Sequence, residues 1–378
     1  MRRRALHHEE HEGREERRNS PAISTTSRIS FVFFVLFVVQ AFAVDLAYEA
    51  VTPGKTLEFP RDAGSHPAYR IEWWYVTGQL ETRRGPMGFQ VTFFRLRNRD
   101  GEANPSRFNA AQLLFAHAAL ADPAKDRLLH DERSARAIEG LVEAKAGDTD
   151  VRIDDWMLRR EAGAYRTRVE GDGFALDLAM TPSQAVLLQG ERGYSRKGPG
   201  TAHASYYYSE PHLAVKGRIR SADESLDVTG EAWLDHEWSS ELLAEEAIGW
   251  DWLGANLEDG SALMAFRMRG RDGSTLWAGA TSRKPGAQPV VYTQDAVRFR
   301  PHRTWTSPRT GTFYPVSMDI EIGGALWRAA PLMDDQELDA RASTGTLYWE
   351  GAVRLEGPDG ARGRGYLELT GYAERLRF

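Results

Sequence analysis

The chain has 378 residues and no cysteine, and 54 acidic against 48 basic side chains give it a net charge of −6. The lack of cysteine excludes disulfides, thiolate metal sites, iron–sulfur clusters and a cysteine nucleophile. A mildly acidic chain of this kind is not expected to bind nucleic acid. Its length suits two domains or one large one, and such a chain can bury most of its unfolded surface without disulfides.

The first 43 residues have the layout of a secretory signal peptide. An arginine-rich stretch precedes an apolar run at residues 29–39, and Ala41-Phe42-Ala43 follows as a small-residue cleavage site. We therefore predict cleavage after Ala43 and an exported protein, periplasmic or secreted, that is at most peripheral to a membrane. An uncleaved N-terminal anchor is the alternative, although the apolar run is short for a helix that spans a bilayer.

From residue 44 onward, most segments alternate apolar and polar residues between turns rich in glycine, proline and aspartate. This pattern predicts about fifteen antiparallel strands and an all-β fold class. One stretch differs, because residues 131–146 are rich in alanine, glutamate and arginine and favour a short helix.

An internal repeat indicates two similar domains. Residues 73–81 resemble residues 250–258, and the later motif Phe-Arg-Leu-Arg at 94–97 resembles Phe-Arg-Met-Arg at 266–269. We expect two antiparallel barrels or sandwiches related by duplication, over residues 44–235 and 236–378, with the helix in the first. The aromatic strands of both halves would then meet at a junction pocket.

The densest group of chemically active side chains lies at residues 233–238, Trp-Leu-Asp-His-Glu-Trp. Asp235, His236 and Glu237 are candidate catalytic residues because such groups act as general acids and bases. In a continuing strand, Asp235 and Glu237 would share one face, while His236 would share the other with Trp238, a candidate ligand-binding residue. A structural hydrogen-bonded network is the alternative, and a metal site would need a further ligand from elsewhere.

Asp251 is a fourth candidate catalytic residue, because it lies between two tryptophans in the second aromatic strand. A carboxyl group among indoles is desolvated, which would raise its pKa and let it donate a proton near neutral pH. The alternative is a strand acid bonded to backbone amides. The tryptophans that flank Asp251 and the equivalent first strand supply candidate ligand-binding residues, for which core packing is the alternative: Trp250, Trp252, Glu72, Trp74 and Tyr75.

Two further ligand-binding candidates carry weaker signals. His117 lies in an apolar strand, where a histidine is more often a satisfied core residue, and Tyr207 is the middle of three consecutive tyrosines. Residues 189–205 form a basic, glycine-rich loop without the ending or the helix of a P-loop, so we interpret it as a surface loop or lid. The sequence contains no nucleophile-elbow motif and no dinucleotide-binding motif.

Several motifs, in order, resemble one protein family. They are EWWYVTG at 72–78, SYYYSEP at 205–211, WLDHEW at 233–238, GWDW at 249–252, YWEGAV at 348–353 and GYLELTGY at 365–372. From about residue 48 to the end, the chain is similar to the AttH/carotenoid 1,2-hydratase (CrtC-like) family. The resemblance implies two lipocalin-like domains, export or membrane association, and hydration of an isoprenoid double bond without a cofactor.

The family's hydratases use a His-x-Trp pair, which His236 and Trp238 match. They also use a tyrosine and an acid in the strand after the GWDW motif, whereas residues 262–268 here contain neither. Two functions therefore stay open: a cofactor-free enzyme that hydrates or isomerises a C=C bond of a hydrophobic isoprenoid or polyene, and a non-catalytic carrier of such molecules that works with an ABC-type permease. A secreted hydrolase is a third.

Overall fold

The computed structural model describes residues 47–106 and 108–376, and these residues form almost entirely antiparallel β structure. The predicted all-β fold class is therefore confirmed. The predicted signal peptide lies outside the described residues. Within the described part of the chain, no helix is both long enough and apolar enough to cross a membrane.

The first curled sheet contains thirteen strands. In chain order they are β1 (Ile71–Thr82), β2 (Gly85–Arg97), β3 (Gln112–Ala121), β4 (Leu129–Arg136), β5 (Val142–Ala144), β6 (Asp150–Ile153), β7 (Trp156–Glu161), β8 (Ala164–Gly171), β9 (Phe174–Pro182), β10 (Leu187–Leu188), β11 (Tyr194–Arg196), β12 (Ala204–Ser221) and β13 (Glu224–Ser239). They pair in the order β4-β3-β2-β1-β13-β12-β9-β8-β7-β6-β5, and β10 and β11 also pair with β12.

The second curled sheet contains ten strands. They are β14 (Ala247–Leu257), β15 (Ala262–Gly270), β16 (Thr275–Arg283), β17 (Val290–Tyr292), β18 (Val297–Thr306), β19 (Phe313–Ile322), β20 (Ala325–Pro331), β21 (Glu337–Ala340), β22 (Thr346–Glu356) and β23 (Arg362–Leu369). The order is β17-β16-β15-β14-β23-β22-β20-β19-β18, and β21 pairs with β22.

The strand orders of the two sheets correspond, which supports a duplication. β1 pairs with β2 and β13, and β14 pairs in the same way with β15 and β23. In the first strand of each pair, β1 and β14, the residues that correspond in the structure are shifted by two positions from the match that the sequence indicates. Glu72 is opposite Arg95 and Asp251 is opposite Arg267, so the cross-strand acid–arginine pairs correspond rather than Trp73 and Trp250.

The helix predicted at residues 131–146 is wrong. That stretch contributes to β4, which pairs with β3, and contains β5, which pairs with β6. Helix propensity differs by only about 0.7 kcal/mol per residue among ordinary residues, so hydrogen bonding to a neighbouring strand outweighs it. The described residues contain one α-helix, α1 (Arg99–Glu102), and four 3-10 turns, at Arg61–Ala63, Pro123–Lys125, Gln294–Ala296 and Pro358–Gly360.

Each sheet encloses its own apolar core, and a third aromatic core lies between the two sheets. The central strands are buried on both faces, because one face lines the core of its own sheet and the other meets the second sheet. Side-chain amides also join the sheets: Gln79 Nε2 donates to Val353 O at 2.8 Å, and Asn256 Nδ2 donates to Ala232 O at 3.1 Å.

Candidate functional site

A cavity of about 60 Å³ lies between the two sheets, and both sheets contribute to its walls. Its aromatic wall consists mainly of rings from β1, β2, β14 and β15, and its polar groups come from β13, β22, β23 and the loop after β11. The lining residues include Trp73, Tyr75, Phe94, Lys197, Asp235, Glu237, Trp250, Trp252, Phe266, Met268, Tyr348, Glu350 and Glu368. We call this space the inner cavity.

Asp235 is held in the inner cavity by three donors. Ser209 Oγ and Trp233 Nε1 donate to Oδ1 at 2.5 and 2.6 Å, and the Tyr207 hydroxyl donates to Oδ2 at 2.5 Å. Tyr207 in turn accepts a hydrogen bond from Trp252 Nε1 at 3.0 Å. Burial raises the pKa of Asp235 to about 7, against the lowering effect of these hydrogen bonds. The group can therefore exchange a proton near neutral pH.

Glu237 follows Asp235 on the same face of β13, as alternation predicts, and it is paired. Lys197 Nζ lies 3.0 Å from Glu237 Oε1, and both side chains are almost fully buried. Ser205 Oγ also donates to the same oxygen. The Lys197 ammonium lies 4.2 Å from the ring centre of Phe266 and 4.6 Å from that of Tyr207, so aromatic faces compensate part of its desolvation.

Glu350 and Glu368 are directly opposite each other on β22 and β23. Burial, together with the charge of Glu368, raises the pKa of Glu350 well above its ordinary value. Burial also raises the pKa of Glu368 to about 7, although Trp250 Nε1 donates to its Oε2 at 2.9 Å. Two adjacent carboxyl groups cannot easily both ionise in such a site, so the pair retains a proton on Glu350 near neutral pH.

A second, wider cavity of about 280 Å³ adjoins the first, and we call it the outer cavity. Its walls include Met264, Trp277 and Gly279, together with residues of the glycine-rich loop such as Arg196. Phe266 is common to the walls of both cavities. The glycine-rich loop, interpreted from sequence as a surface loop or lid, thus forms one wall of this space.

His236 and Trp238 point away from both cavities, into the core of the first sheet. His236 Nε2 lies 2.9 Å from Glu72 Oε1, and its ring stacks on Trp74 with centroids 4.6 Å apart. Burial lowers the pKa of His236 to about 4, so the imidazole is neutral at pH 7. His66 stacks on Trp238 at 3.8 Å between ring centroids.

One group of described residues has the composition of a metal site: His66, Glu72 and His236 offer ligand atoms within 4.8 Å of one another. Both imidazoles are hydrogen-bonded to the same carboxylate oxygen, Glu72 Oε1, and Arg95 Nε lies 2.7 Å from Oε2. His66 also faces Asp62. Burial alone would lower the pKa of His66, but the carboxylates of Asp62 and Glu72 outweigh it and raise that pKa. Because the two imidazoles and Arg95 already occupy both oxygens of Glu72, these residues fit a hydrogen-bonded ion-pair network rather than a site for an added divalent cation.

Asp251 lies in the core of the second sheet, and the prediction that its carboxyl group sits among indoles is wrong. Arg267 Nε and Arg269 Nε donate to its two oxygens at 2.6 and 2.9 Å, and the Tyr372 hydroxyl donates at 2.9 Å. Alternation explains the outcome, because it places the flanking tryptophans on the cavity face and the carboxyl group on the opposite face.

The candidates from sequence therefore fall into four places. The inner cavity brings together Asp235, Glu237, Tyr75, Trp250 and Trp252, with Tyr207 directly behind Asp235. His236, Trp238, Glu72 and Trp74 lie in the first core, and Asp251 lies in the second. His117 is buried at the contact between the sheets, where its Nδ1 is 2.7 Å from the hydroxyl of Tyr348.

Sequence reasoning missed Lys197, Glu350 and Glu368 as site residues. The two glutamates were visible as single acids in otherwise apolar strands, at the centre of the motifs YWEGAV and GYLELTGY. An isolated carboxyl group on a buried face is costly unless it has a partner or a role, so this pattern was a usable signal. Lys197 had no such signal, because its loop is basic throughout.

Two curled antiparallel sheets with a cavity between them are consistent with the class of proteins that have two lipocalin-like domains. Within that class, a family model described as AttH-like matches residues 50–372, and the chain belongs to this family. A crystal structure of a candidate AttH protein from Nitrosomonas europaea is 54% identical, with a TM-score of 0.80, and the match covers 86% of this chain and 99% of that one.

More distant structures share the fold. Kievitone hydratase from Nectria haematococca is 15% identical with a TM-score of 0.65, over 87% of this chain and 96% of that one. CghA is 13% identical with a TM-score of 0.50, over 88% and 96%. No curated protein sequence matches the chain significantly. The resemblance predicted from sequence is thus confirmed as to family and fold.

Proposed function

We propose that the protein is a cofactor-free enzyme that hydrates or isomerises a C=C bond of a small hydrophobic isoprenoid or polyene molecule. One observation carries the proposal: the walls of an aromatic cavity hold two adjacent carboxyl groups, Glu350 and Glu368, and a carboxyl group oriented by three donors, Asp235. The fold shared with kievitone hydratase is consistent with it.

The proposed chemistry needs only these side chains. The protonated Glu350–Glu368 pair transfers a proton to one alkene carbon, which leaves a carbocation at the other. The rings of Trp73, Trp250 and Trp252 stabilise that cation by about 2 kcal/mol in a desolvated site. A water molecule then adds to the cation and loses its proton to Asp235. Loss of a proton from carbon to Asp235 would instead give an isomer.

The size of the space bears on the substrate. The inner cavity of about 60 Å³ is well below the 300–1,000 Å³ typical of sites for small organic molecules. We therefore propose that it holds the reacting end of the substrate and that the tail lies in the outer cavity of about 280 Å³, past Phe266.

The experiment is incubation of the purified protein with geraniol and farnesol in water labelled with oxygen-18, followed by mass spectrometry. We expect a product heavier by one labelled water, or an isomer of unchanged mass on chromatography. Asp235→Asn and Glu350→Gln should abolish turnover, whereas Asp319→Asn, at an exposed ion pair with Arg328, should retain it. Binding of both alcohols without turnover would contradict the enzyme.

That last outcome would support the second candidate, a carrier. The absence of a tyrosine and an acid from β15, which instead presents Met264, Phe266 and Met268 to the two cavities, favours it. An ABC-type permease would be its partner.

We also propose that the protein is exported. The apolar run and the Ala-Phe-Ala motif near residue 43 support cleavage before Val44. N-terminal sequencing of protein from the native host should begin at or near Val44, and a start at Met1 in the membrane fraction would contradict cleavage.

A further inference from the structure

Glu350 is a buried acid, and its proton needs a route to and from solvent. The residue is buried, and neither of its carboxyl oxygens has a hydrogen-bond partner of ordinary geometry within the described chain. Direct exchange of this proton with bulk water would have to pass through the inner cavity, which the substrate fills during the proposed reaction. The role of the Glu350–Glu368 pair as an acid nevertheless requires that its proton be replaced.

A line of hydrogen bonds leads from the cavity wall beside Glu350 to the protein surface. Tyr348 precedes Glu350 by two residues on the same face of β22, and both line the inner cavity. The Tyr348 hydroxyl lies 2.7 Å from His117 Nδ1 on β3 of the other sheet. His117 Nε2 lies 2.9 Å from Ser343 Oγ, and Ser343 Oγ donates to Glu132 Oε2 on β4.

The direction of these hydrogen bonds follows from the last acceptor. Glu132 accepts from the hydroxyl and the backbone N–H of Ser343 and from the N–H of Ala342, as a carboxylate does. Because Ser343 gives its proton to Glu132, its oxygen accepts from His117 Nε2, and His117 Nδ1 must then accept from Tyr348. Every donor therefore points from the cavity toward the surface.

The His117 ring is suited to pass protons rather than to hold a charge. It is buried, and burial lowers its pKa to about 3, with a further contribution from His130. A neutral imidazole carries one proton and one lone pair, so it can accept at Nδ1 while it releases at Nε2.

From this geometry we propose that Tyr348, His117 and Ser343 form a proton path that connects buried Glu350 with solvent-accessible Glu132. In the outward step, Glu350 transfers its proton to the oxygen of Tyr348, Tyr348 gives its own to His117 Nδ1, His117 Nε2 gives its proton to Ser343, and Ser343 gives its own to Glu132. Tyr348, His117 and Ser343 each gain one proton and lose one, with His117 left as the other tautomer, so Glu350 loses one proton and Glu132 gains one. The inward step runs from Glu132 back to Glu350, and it starts once the Ser343 and Tyr348 hydroxyls have turned toward the cavity and His117 carries its proton on Nδ1.

The first link needs a small rearrangement. The Tyr348 hydroxyl is directed at His117 and forms no hydrogen bond of ordinary geometry with Glu350. The path therefore transfers a proton when the Glu350 carboxyl group turns toward the tyrosine oxygen. The use of this proton in catalysis rests on the proposed function, but the path itself can be tested without substrate.

The test follows the C=O stretch of protonated Glu350 by infrared spectroscopy after a rapid jump to higher pH, with Glu350→Gln to assign the band. We expect Ser343→Ala to slow the loss of the band by about tenfold or more, which corresponds to about 1.4 kcal/mol in the barrier. Ser343→Thr should restore the rate. Ser317→Ala, which removes another buried hydroxyl from the second sheet, should leave it unchanged.

An unchanged rate in Ser343→Ala, or the absence of any band that Glu350→Gln removes, would overturn the proposal. Melting curves of each variant identify a general loss of structure, and Tyr348→Phe provides a second interruption of the path. A slowed rate in a protein that turns over neither alcohol would keep the path and reject only the proposed enzyme.

Discussion

Glu72 and Asp251 occupy equivalent positions in the two sheets, each opposite an arginine of the following strand. Glu72 Oε2 lies 2.7 Å from Arg95 Nε, and Asp251 Oδ2 lies 2.6 Å from Arg267 Nε, with all four side chains buried. The pairs thus mark the same point inside each barrel. In the second sheet this position is plainly structural, because Asp251 has no contact with the inner cavity.

We predict that Asp251→Asn destabilises the protein without altering the cavity. The change leaves the guanidinium groups of Arg267 and Arg269 buried without their carboxylate, which should cost about 3–5 kcal/mol. Denaturant unfolding measures this loss, and quenching of tryptophan fluorescence by farnesol measures binding per folded molecule. Asp227→Asn, at an exposed pair with Arg218, should change stability by less than about 1 kcal/mol. Weakened binding by folded Asp251→Asn would place this residue back in the site.

The sequence predicts a site residue correctly only where it reveals both the face of the strand on which the side chain lies and what that face meets. Alternation along residues 233–238 correctly separates Asp235 and Glu237 from His236 and Trp238. The same rule applied to Asp251 separates it from its tryptophan neighbours, but the sequence does not reveal which face meets arginines. Those arginines come from β15, and only the strand pairing brings them opposite Asp251.

The remaining errors have the same physical origin. The segment at residues 131–146 has helix-forming composition, yet its first part belongs to β4 and pairs with β3 in the sheet. Lys197 and Glu237 are 40 positions apart in the chain, and the contact of His117 with Tyr348 spans 231 positions. Local patterns predict strands and their faces, whereas such pairings depend on the folded topology of both sheets.

The buried pair of Lys197 and Glu237 should be costly to break from one side only. We predict that Lys197→Met destabilises the protein by about 3–5 kcal/mol, because Glu237 then stays buried with only Ser205 as a partner. The double variant with Glu237→Gln should recover most of that loss, because it removes both charges. Denaturant unfolding of the two single variants and the double variant gives the coupling energy. Additive losses would show that the two groups do not depend on each other.

Stability should fall as pH rises toward 7 because of the cavity acids. The folded-state pKa values of Asp235 and Glu368, both about 7, lie above the ordinary values of 3.8 and 4.5. The folded state therefore retains protons that the unfolded chain has lost, and this stabilisation, complete below the ordinary pKa, disappears as pH rises through 7. The size is on the order of 3 to 4 kcal/mol for each group, at about 1.4 kcal/mol per pKa unit.

His236 acts in the opposite direction, because its lowered pKa of about 4 makes stability rise with pH up to its ordinary value of 6.5. Comparison of variants with the native chain removes this contribution. Asp235→Asn and Glu368→Gln should each flatten the decline in unfolding free energy between about pH 4 and 7. If both variants retain the full slope, the two carboxyl groups do not have raised pKa values.

Because the ligand is proposed to occupy both cavities, the affinity of the protein for an isoprenoid alcohol should depend on the length of the alcohol's hydrocarbon chain. Gly279 lines the outer cavity on β16, and a Cβ atom there would lie 3.1 Å from the Phe266 ring. Gly279→Leu should therefore fill part of the outer cavity, whereas Gly279 does not line the inner one. We expect the affinity for farnesol to fall by about tenfold or more, the equivalent of 1.4 kcal/mol. Prenol, which has a single isoprene unit, should bind almost as before, because it needs only the inner cavity.

Tryptophan fluorescence titrations with the two alcohols measure this split. Thr275→Leu is the matched control, because Thr275 begins the same strand, is exposed and lines neither cavity. A general distortion of β16 by Gly279→Leu would lower the affinity for both alcohols and the melting temperature together. A selective loss for farnesol at an unchanged melting temperature is expected only if the longer chain passes Phe266, and equal losses for both alcohols would argue against the two-cavity arrangement.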